Sequence, residues 1–206
     1  EALAILGPDY VKQVKAGLAP GAGWVDVYPH KDKASGAFCA SVFGQHPYVK
    51  LNHLNDFDGL STLAHEFGHA MHSHLSMTHQ PYVTSGYVPF IAEIASTFNE
   101  KLLSDHLEKK AKTPAEKLPV LVKLVESIRT TIYRQALFAD FELAIHTAAE
   151  AGTPLTAEFL SRTYADLVTH YYGPGYTLDA DDGMEWAYIP HFYYKYYVFS
   201  YATGLS

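Results

Sequence analysis

The 206-residue sequence predicts a mainly α-helical fold with a small β-sheet near the N-terminus. Two observations indicate this class. Apolar residues recur at helical spacing through most of the chain, and stretches rich in Val, Phe and Tyr with strand-like alternation are confined to residues 24–52. The sequence is 48% hydrophobic and 18% charged, so the chain can bury a substantial core.

The first elements are predicted from local signals. Gly7-Pro8 interrupts an early helix, the Pro and Gly content of residues 19–23 marks a loop, and Gln80-Pro81 ends the first long helix. We expect a short helix within residues 1–18, two or three short strands within residues 24–28 and 36–52, and a helix from about residue 61 to residue 78.

Proline, glycine and a capping threonine divide the remainder into helices. Pro114 opens a long helix that Gly152 and Pro154 stop, and Thr156 caps the next one. The expected helices cover about residues 90–112, 115–151 and 157–172, and a last helix runs from about Met184 or Ile189 to the chain end.

Charge and composition exclude several classes of function. The formal net charge of −7 argues against a nucleic-acid-binding or anionic-membrane surface, since both need a positive field. No apolar run approaches the roughly 18 residues that span a bilayer. A single cysteine, Cys39, excludes an internal disulfide and a multi-cysteine zinc site. Because no signal peptide is visible either, we expect a cytoplasmic protein.

Residues 65–69 carry the clearest chemical motif, His-Glu-Phe-Gly-His. Two histidines four residues apart project from one face of a helix and can bind one metal ion, for which zinc is the typical choice. Glu66 is placed to accept a proton from a water molecule without being a ligand itself. A shuffled chain of this composition would contain the motif with a probability of only roughly 0.04.

A third ligand is needed, and the sequence offers two carboxylates on the following helix. The position that would hold a third histidine in one related motif is Leu75, so that alternative fails. Glu93 stands in an otherwise apolar turn, where a carboxylate needs a cation, and is therefore the predicted ligand. For Glu100, two turns on, the sequence leaves two alternatives open: an acceptor for a hydrogen bond from a ligand imidazole, or an ordinary surface carboxylate.

An aromatic segment near the C-terminus is the second candidate feature. If it is helical, His191, Tyr194, Tyr197 and Tyr201 share one face. Hydroxyl and imidazole donors aimed at a substrate carbonyl would stabilise an oxyanion. We therefore predict catalytic roles for His191, Tyr194 and Tyr197, and leave Tyr201 undecided.

Taken together, these residues resemble the M3 family of zinc oligopeptidases, and most closely its oligoendopeptidase F branch. The resemblance covers nearly the whole chain. It is carried by residues 24–28 and 35–38 before the zinc helix, 62–72 around the zinc motif, 92–100 on the next helix, 133–142, and 189–194.

The resemblance implies a helical, zincin-like metallopeptidase catalytic region acting on short, unfolded peptides. It implies one zinc ion (Zn2+) per chain held by His65, His69 and Glu93, with Glu66 as the base, and substrate or oxyanion contacts from His191, Tyr194 and Tyr197. We expect residues 1–206 to form one catalytic domain of a longer protein. The missing N- and C-terminal segments, or a second copy of the chain, are its expected partners besides peptides.

Two alternatives remain open from the sequence. The first is a metallocarboxypeptidase of related helical fold, which needs a cation for the free carboxylate of its substrate. Arg129, Arg134 and Arg162 are the only arginines, and none lies in a motif that marks such a pocket. The second is a metal- or peptide-binding module without catalysis, against which the intact Glu66 argues.

Overall fold

In a computed structural model, residues 1–206 form seven α-helices and one three-stranded sheet, which confirms the predicted mainly α class. The helices are α1 (Pro8–Gly17), α2 (Phe57–His79), α3 (Pro89–Lys110), α4 (Pro114–Ile128), α5 (Arg134–Glu150), α6 (Ala157–Tyr172) and α7 (Phe199–Leu205). The strands are β1 (Val25–Asp26), β2 (Phe38–Ala40) and β3 (Tyr48–Lys50). No helix is both long enough and apolar enough to cross a bilayer.

The chain divides into two compact units, residues 1–124 and residues 125–206. The first unit contains the sheet and helices α1 to α3, and the second contains α5 to α7. Whether the whole stretch 1–206 acts as one catalytic domain stays a prediction.

In the first unit, the sheet packs against α2. Strand β3 is central, parallel to β1 and antiparallel to β2, so β1 and β2 are the outer strands. Val49 and Leu51 form a buried cluster with Ala70 of α2. Helix α2 begins earlier than the periodicity indicates, because the Asp56 side chain accepts a 2.7 Å hydrogen bond from the Gly59 backbone N–H and caps the helix.

Helices α2 and α3 cross at unusually short range. A Cβ atom added at Gly68 would lie 2.5 Å from the Ala95 carbonyl oxygen and 2.5 Å from Ser96 Cα, so only glycine permits this approach. Gly68 lies within the His-Glu-Phe-Gly-His motif. The close crossing therefore brings the chemical groups of α3 directly against the motif on α2.

The second unit is built on α5 and α6. Phe138 and Phe141 of α5 pack against Tyr164 of α6 in a buried hydrophobic core, which Ile189 and Val198 complete. The predicted long helix over residues 115–151 is present, but a π-helical turn at Arg129–Tyr133 divides it into α4 and α5.

The prediction of one last helix from residue 184 or 189 to the end is wrong. Short 3-10 helices at Asp182–Tyr188 and Pro190–Tyr193 precede α7, which covers only Phe199–Leu205. Lys195 and Tyr196 have φ angles of 48° and 53°, which a right-handed helix excludes. Consequently His191, Tyr194, Tyr197 and Tyr201 do not share one face of a helix.

Candidate active site

Three side chains with metal-ligand chemistry converge between α2 and α3. His65 and His69 lie one turn apart on α2, and Glu93 lies in the second turn of α3. Their potential ligand atoms all lie within 4.8 Å of one another. Glu93 Oε2 is 3.3 Å from His65 Nε2 and 3.4 Å from His69 Nε2. The three residues predicted as ligands are thus brought together, and we call them the metal group.

Hydrogen bonds from neighbouring residues orient the metal group. His65 Nδ1 donates to Glu100 Oε2 at 3.0 Å, which leaves Nε2 facing Glu93. The Ser61 hydroxyl donates to the other oxygen of Glu100 at 2.8 Å. The Ser96 hydroxyl donates to Glu93 Oε2 at 2.8 Å. Of the two alternatives that the sequence left open for Glu100, the structure shows the hydrogen-bond acceptor beside an imidazole of the metal group.

Ser61 and Ser96 were not identified from the sequence. Both are buried, and Ser96 is fully so. Their only sequence signal is a small polar residue within an otherwise apolar helix face. That signal is weak, because buried serines usually bond to their own helix backbone, as Ser96 also does with the Glu93 carbonyl.

Electrostatics around the metal group favour a cation. Burial opposes charge on the His65 imidazole, but hydrogen bonds to Glu100 and Glu93 outweigh burial and raise its pKa to about 10. Burial by itself would raise the pKa of the Glu93 carboxyl, yet hydrogen bonds from His65 and His69 hold that pKa well below its usual range. The carboxylates of Glu93 and Glu100 thus stabilise a positive charge on the neighbouring imidazole, and a metal ion would supply that charge in place of a proton.

Glu66 lies beside the metal group but does not belong to it. Its side chain is buried, and Oε2 has no hydrogen-bond partner. Burial raises the pKa of the Glu66 carboxyl, against the opposing charges of His65 and His69. A buried carboxylate with a free oxygen and a raised pKa has the properties of a general base.

His72 shares the motif face of α2 but makes different contacts. Its ring stacks on Tyr87 with 3.8 Å between centroids, and the Tyr87 hydroxyl forms a 2.8 Å hydrogen bond with Ser73. Burial lowers the pKa of His72. This histidine therefore packs as a neutral ring beside the metal group.

The four residues of the C-terminal prediction lie close together in the second unit, although they do not lie on one helix. The ring of His191 lies 6.1 Å from Tyr194, 6.1 Å from Tyr197 and 5.8 Å from Tyr201. His191 Nε2 and the Tyr201 hydroxyl share a 3.1 Å hydrogen bond. Tyr201, which the sequence left undecided, is therefore the direct partner of His191, and we call these four residues the aromatic cluster.

This chain is similar in sequence to known peptidases. The sequence profile of Peptidase family M3 matches residues 4–206. Oligopeptidase PepF of Bacillus subtilis is 46% identical over 204 residues, which is 99% of this chain and 30% of that protein. An oligoendopeptidase F homolog of Lactococcus lactis is 42% identical over 206 residues, which is 100% of this chain and 34% of that protein.

Two solved structures with a similar fold are also described as peptidases. A Chlamydophila abortus protein assigned as a peptidase matches with a TM-score of 0.74 and 47% identity, covering 98% of this chain and 34% of the other. Oligoendopeptidase-F from Enterococcus faecium matches with a TM-score of 0.57 and 43% identity, covering 72% of this chain and 26% of the other. The chain thus spans about a third of the length of the relatives that it matches.

Proposed function

Because this chain belongs to peptidase family M3, we propose that it is the catalytic region of a zinc-dependent endopeptidase that hydrolyses short, unfolded peptides. One observation supports the proposal most directly. The buried, unpartnered Glu66 Oε2 lies beside the metal group, a combination of ligands and base that a purely structural metal site does not need.

The donor set fits a catalytic zinc. Two imidazole nitrogens and one carboxylate oxygen supply three ligands and leave a fourth position for water or substrate. We assign His65, His69 and Glu93 to this role, with one zinc ion per chain. Glu100 accepts a hydrogen bond from Nδ1 of His65. This bond fixes the ring and selects the tautomer that presents Nε2 to the metal.

Bound zinc would polarise the scissile carbonyl and lower the pKa of a water molecule in the open position. Glu66 accepts a proton from the attacking water and then delivers it to the leaving amine. Burial raises the pKa of this carboxyl, which brings its proton affinity closer to that required at neutral pH.

Strand β2 is proposed to hold an extended substrate. It is an outer strand of the sheet, so one edge can add a further strand by backbone hydrogen bonding. Burial raises the pKa of the Cys39 thiol on β2 to about 12, and the nearby charge of Glu66 acts in the same direction. A peptide along β2 would therefore run close to the proposed base, with Cys39 as a neutral packing residue.

The proposed oxyanion donors are His191, Tyr194 and Tyr197. This assignment rests on their donor chemistry and on the family resemblance. The names of the relatives, oligopeptidase and oligoendopeptidase, support peptides as substrates. We propose the cytoplasm as the place of the reaction, which agrees with the single cysteine.

Cleavage of matched peptides with free and amidated C-termini tests the proposal. We expect zinc-dependent internal cleavage of both forms at similar rates, measured by mass spectrometry with the chain in its longer protein. A requirement for the free carboxylate would identify a metallocarboxypeptidase instead. Stoichiometric zinc without cleavage of either form would identify a binding module.

Tyr194→Phe and Tyr197→Phe should each lower kcat more than they raise KM, with zinc content unchanged. Phenylalanine keeps the ring, so only the hydroxyl is lost. Loss of a donor to the developing oxyanion costs about 2.7–4 kcal/mol in the transition state, or about 100- to 1000-fold in rate. Steady-state kinetics on one peptide would measure both parameters.

Tyr193→Phe and Tyr196→Phe are the matched controls. The Tyr193 side chain is 80% exposed, and the Tyr196 ring packs on His146 of α5 at 4.7 Å. Neither ring packs against His191, whereas the rings of Tyr194 and Tyr197 do. An equal, small effect in all four variants would show that the hydroxyls of Tyr194 and Tyr197 have no role in the chemistry.

A further inference from the structure

Two consecutive residues between Tyr194 and Tyr197 have left-handed backbone conformations. Lys195 has φ 48° and Tyr196 has φ 53°, and they are the only residues other than glycine with positive φ in the chain. Such conformations are unfavourable for residues with a Cβ atom and persist where surrounding structure imposes them. We call this segment the 195–196 turn.

A buried carboxylate from α5 holds the turn. Glu142 is 1% exposed, and its Oε1 accepts a hydrogen bond from the Tyr196 backbone N–H. One helical turn further along α5, His146 packs against the Tyr196 ring. A single helix thus fixes both the backbone and the side chain of the same residue.

The turn determines the geometry of the aromatic cluster. Tyr194 directly precedes the turn and Tyr197 directly follows it, so its φ and ψ angles set the directions of both side chains. Val198, one residue further on, is buried in the core that contains Phe138 and Phe141 of α5. The turn therefore lies in the irregular segment between the 3-10 helix that contains His191 and the packed start of α7.

We propose that Glu142 is a positioning residue that imposes the 195–196 turn and thereby orients Tyr194 and Tyr197 for the reaction. This inference rests on the proposed function, because it takes those two tyrosines as substrate contacts. Glu142 acts through the Tyr196 N–H and touches neither substrate nor metal. The essential property is a hydrogen-bond acceptor at this buried point, not a charge.

Glu142→Gln and Glu142→Leu, in the full-length, zinc-loaded protein, separate a requirement for a hydrogen-bond acceptor from a requirement for a negative charge. The glutamine carbonyl still accepts from the Tyr196 N–H, so kcat should stay within about threefold of the parent. Leucine has a similar size but no acceptor, and misplacement of a contact by about 1 Å can lower the rate about 100-fold. We therefore expect kcat of the leucine variant to fall by about that factor, with KM and zinc content unchanged.

Backbone hydrogen exchange supplies a measurement that does not depend on activity. In Glu142→Leu the Tyr196 amide should exchange much faster while the α5 amides remain protected, and in Glu142→Gln it should not. Lys195→Gly should restore part of the lost kcat, because glycine adopts positive φ readily. Lys31→Gly, in an exposed loop, is the control and should restore nothing.

Each result decides the inference. Equal losses in both Glu142 variants, or unchanged kcat in Glu142→Leu despite faster exchange, would overturn it. If Glu142→Leu does not fold, an unprotected Tyr196 amide in the parent would overturn it equally. If Glu66→Gln hydrolyses peptides like the parent, the proposed function fails. Slow exchange of the Tyr196 amide in Glu142→Leu would separately disprove that Glu142 imposes the 195–196 turn.

Discussion

Glu66→Gln is expected to leave zinc content unchanged and to lower kcat/KM by about 100- to 10,000-fold, the range typical for loss of a general base. The amide has nearly the same shape as the carboxylate, so the packing of α2 is preserved. It cannot accept a proton from water at neutral pH. Since Glu66 is not a member of the metal group, the ligands remain intact.

The loss would be measured by peptide hydrolysis, with metal analysis on the same preparation. Glu150→Gln makes the identical exchange at an exposed position at the end of α5 and should hydrolyse peptides like the parent. Activity of Glu66→Gln within tenfold of that control would show that another group is the base. A parallel loss of zinc would instead show that Glu66 contributes to metal binding.

The long helices of the first unit could be predicted because their signals are local. Gln80-Pro81 ends α2 as predicted, and apolar spacing from residue 90 placed α3, whereas the Asp56 cap was not identified, so the predicted start of α2 at residue 61 was late. Apolar periodicity between such signals predicts both type and position of a helix. The same reasoning places the strands within residues 24–28 and 36–52, since alternation and punctuating glycines are also local features.

The C-terminal segment could not be predicted in this way. Its turn depends on Glu142, which lies far away in the sequence, and no property of residues 189–198 alone indicates a left-handed conformation at Lys195 and Tyr196. The aromatic residues are spaced as on a helix, but they cluster because of tertiary contacts and not because they share a helix face. A periodicity argument fails when a buried contact overrides the local preference.

The candidate metal centre was predictable in composition but not in its supporting contacts. A pair of histidines four apart and a carboxylate in an apolar turn are visible in one dimension. The hydrogen bond from Ser96 to Glu93 lies within α3, whereas the hydrogen bond from Ser61 to Glu100 joins α2 to α3. Contacts of the second kind depend on the relative placement of α2 and α3, which spacing along the chain does not specify.

Glu93→Ala is expected to lower zinc affinity by more than about 100-fold and to abolish peptide hydrolysis at ordinary zinc concentrations. Removal of a residue that only supports a ligand typically costs 10- to 100-fold in metal affinity, and loss of a ligand itself should exceed that range. Glu93 also carries the buried negative charge that favours a cation at this point. Competition with a chelator of known affinity would give the zinc dissociation constant.

Glu100→Ala is the matched comparison on the same helix. Glu100 accepts from His65 Nδ1 and from Ser61, and its loss should lower zinc affinity by about 10- to 100-fold while hydrolysis persists with excess zinc. The decisive quantity is the order of the two dissociation constants. If Glu93→Ala bound zinc like the parent and Glu100→Ala did not, the third ligand would be Glu100. The 3.3 Å and 3.4 Å approaches of Glu93 to His65 and His69 would then reflect a metal-free hydrogen bond only.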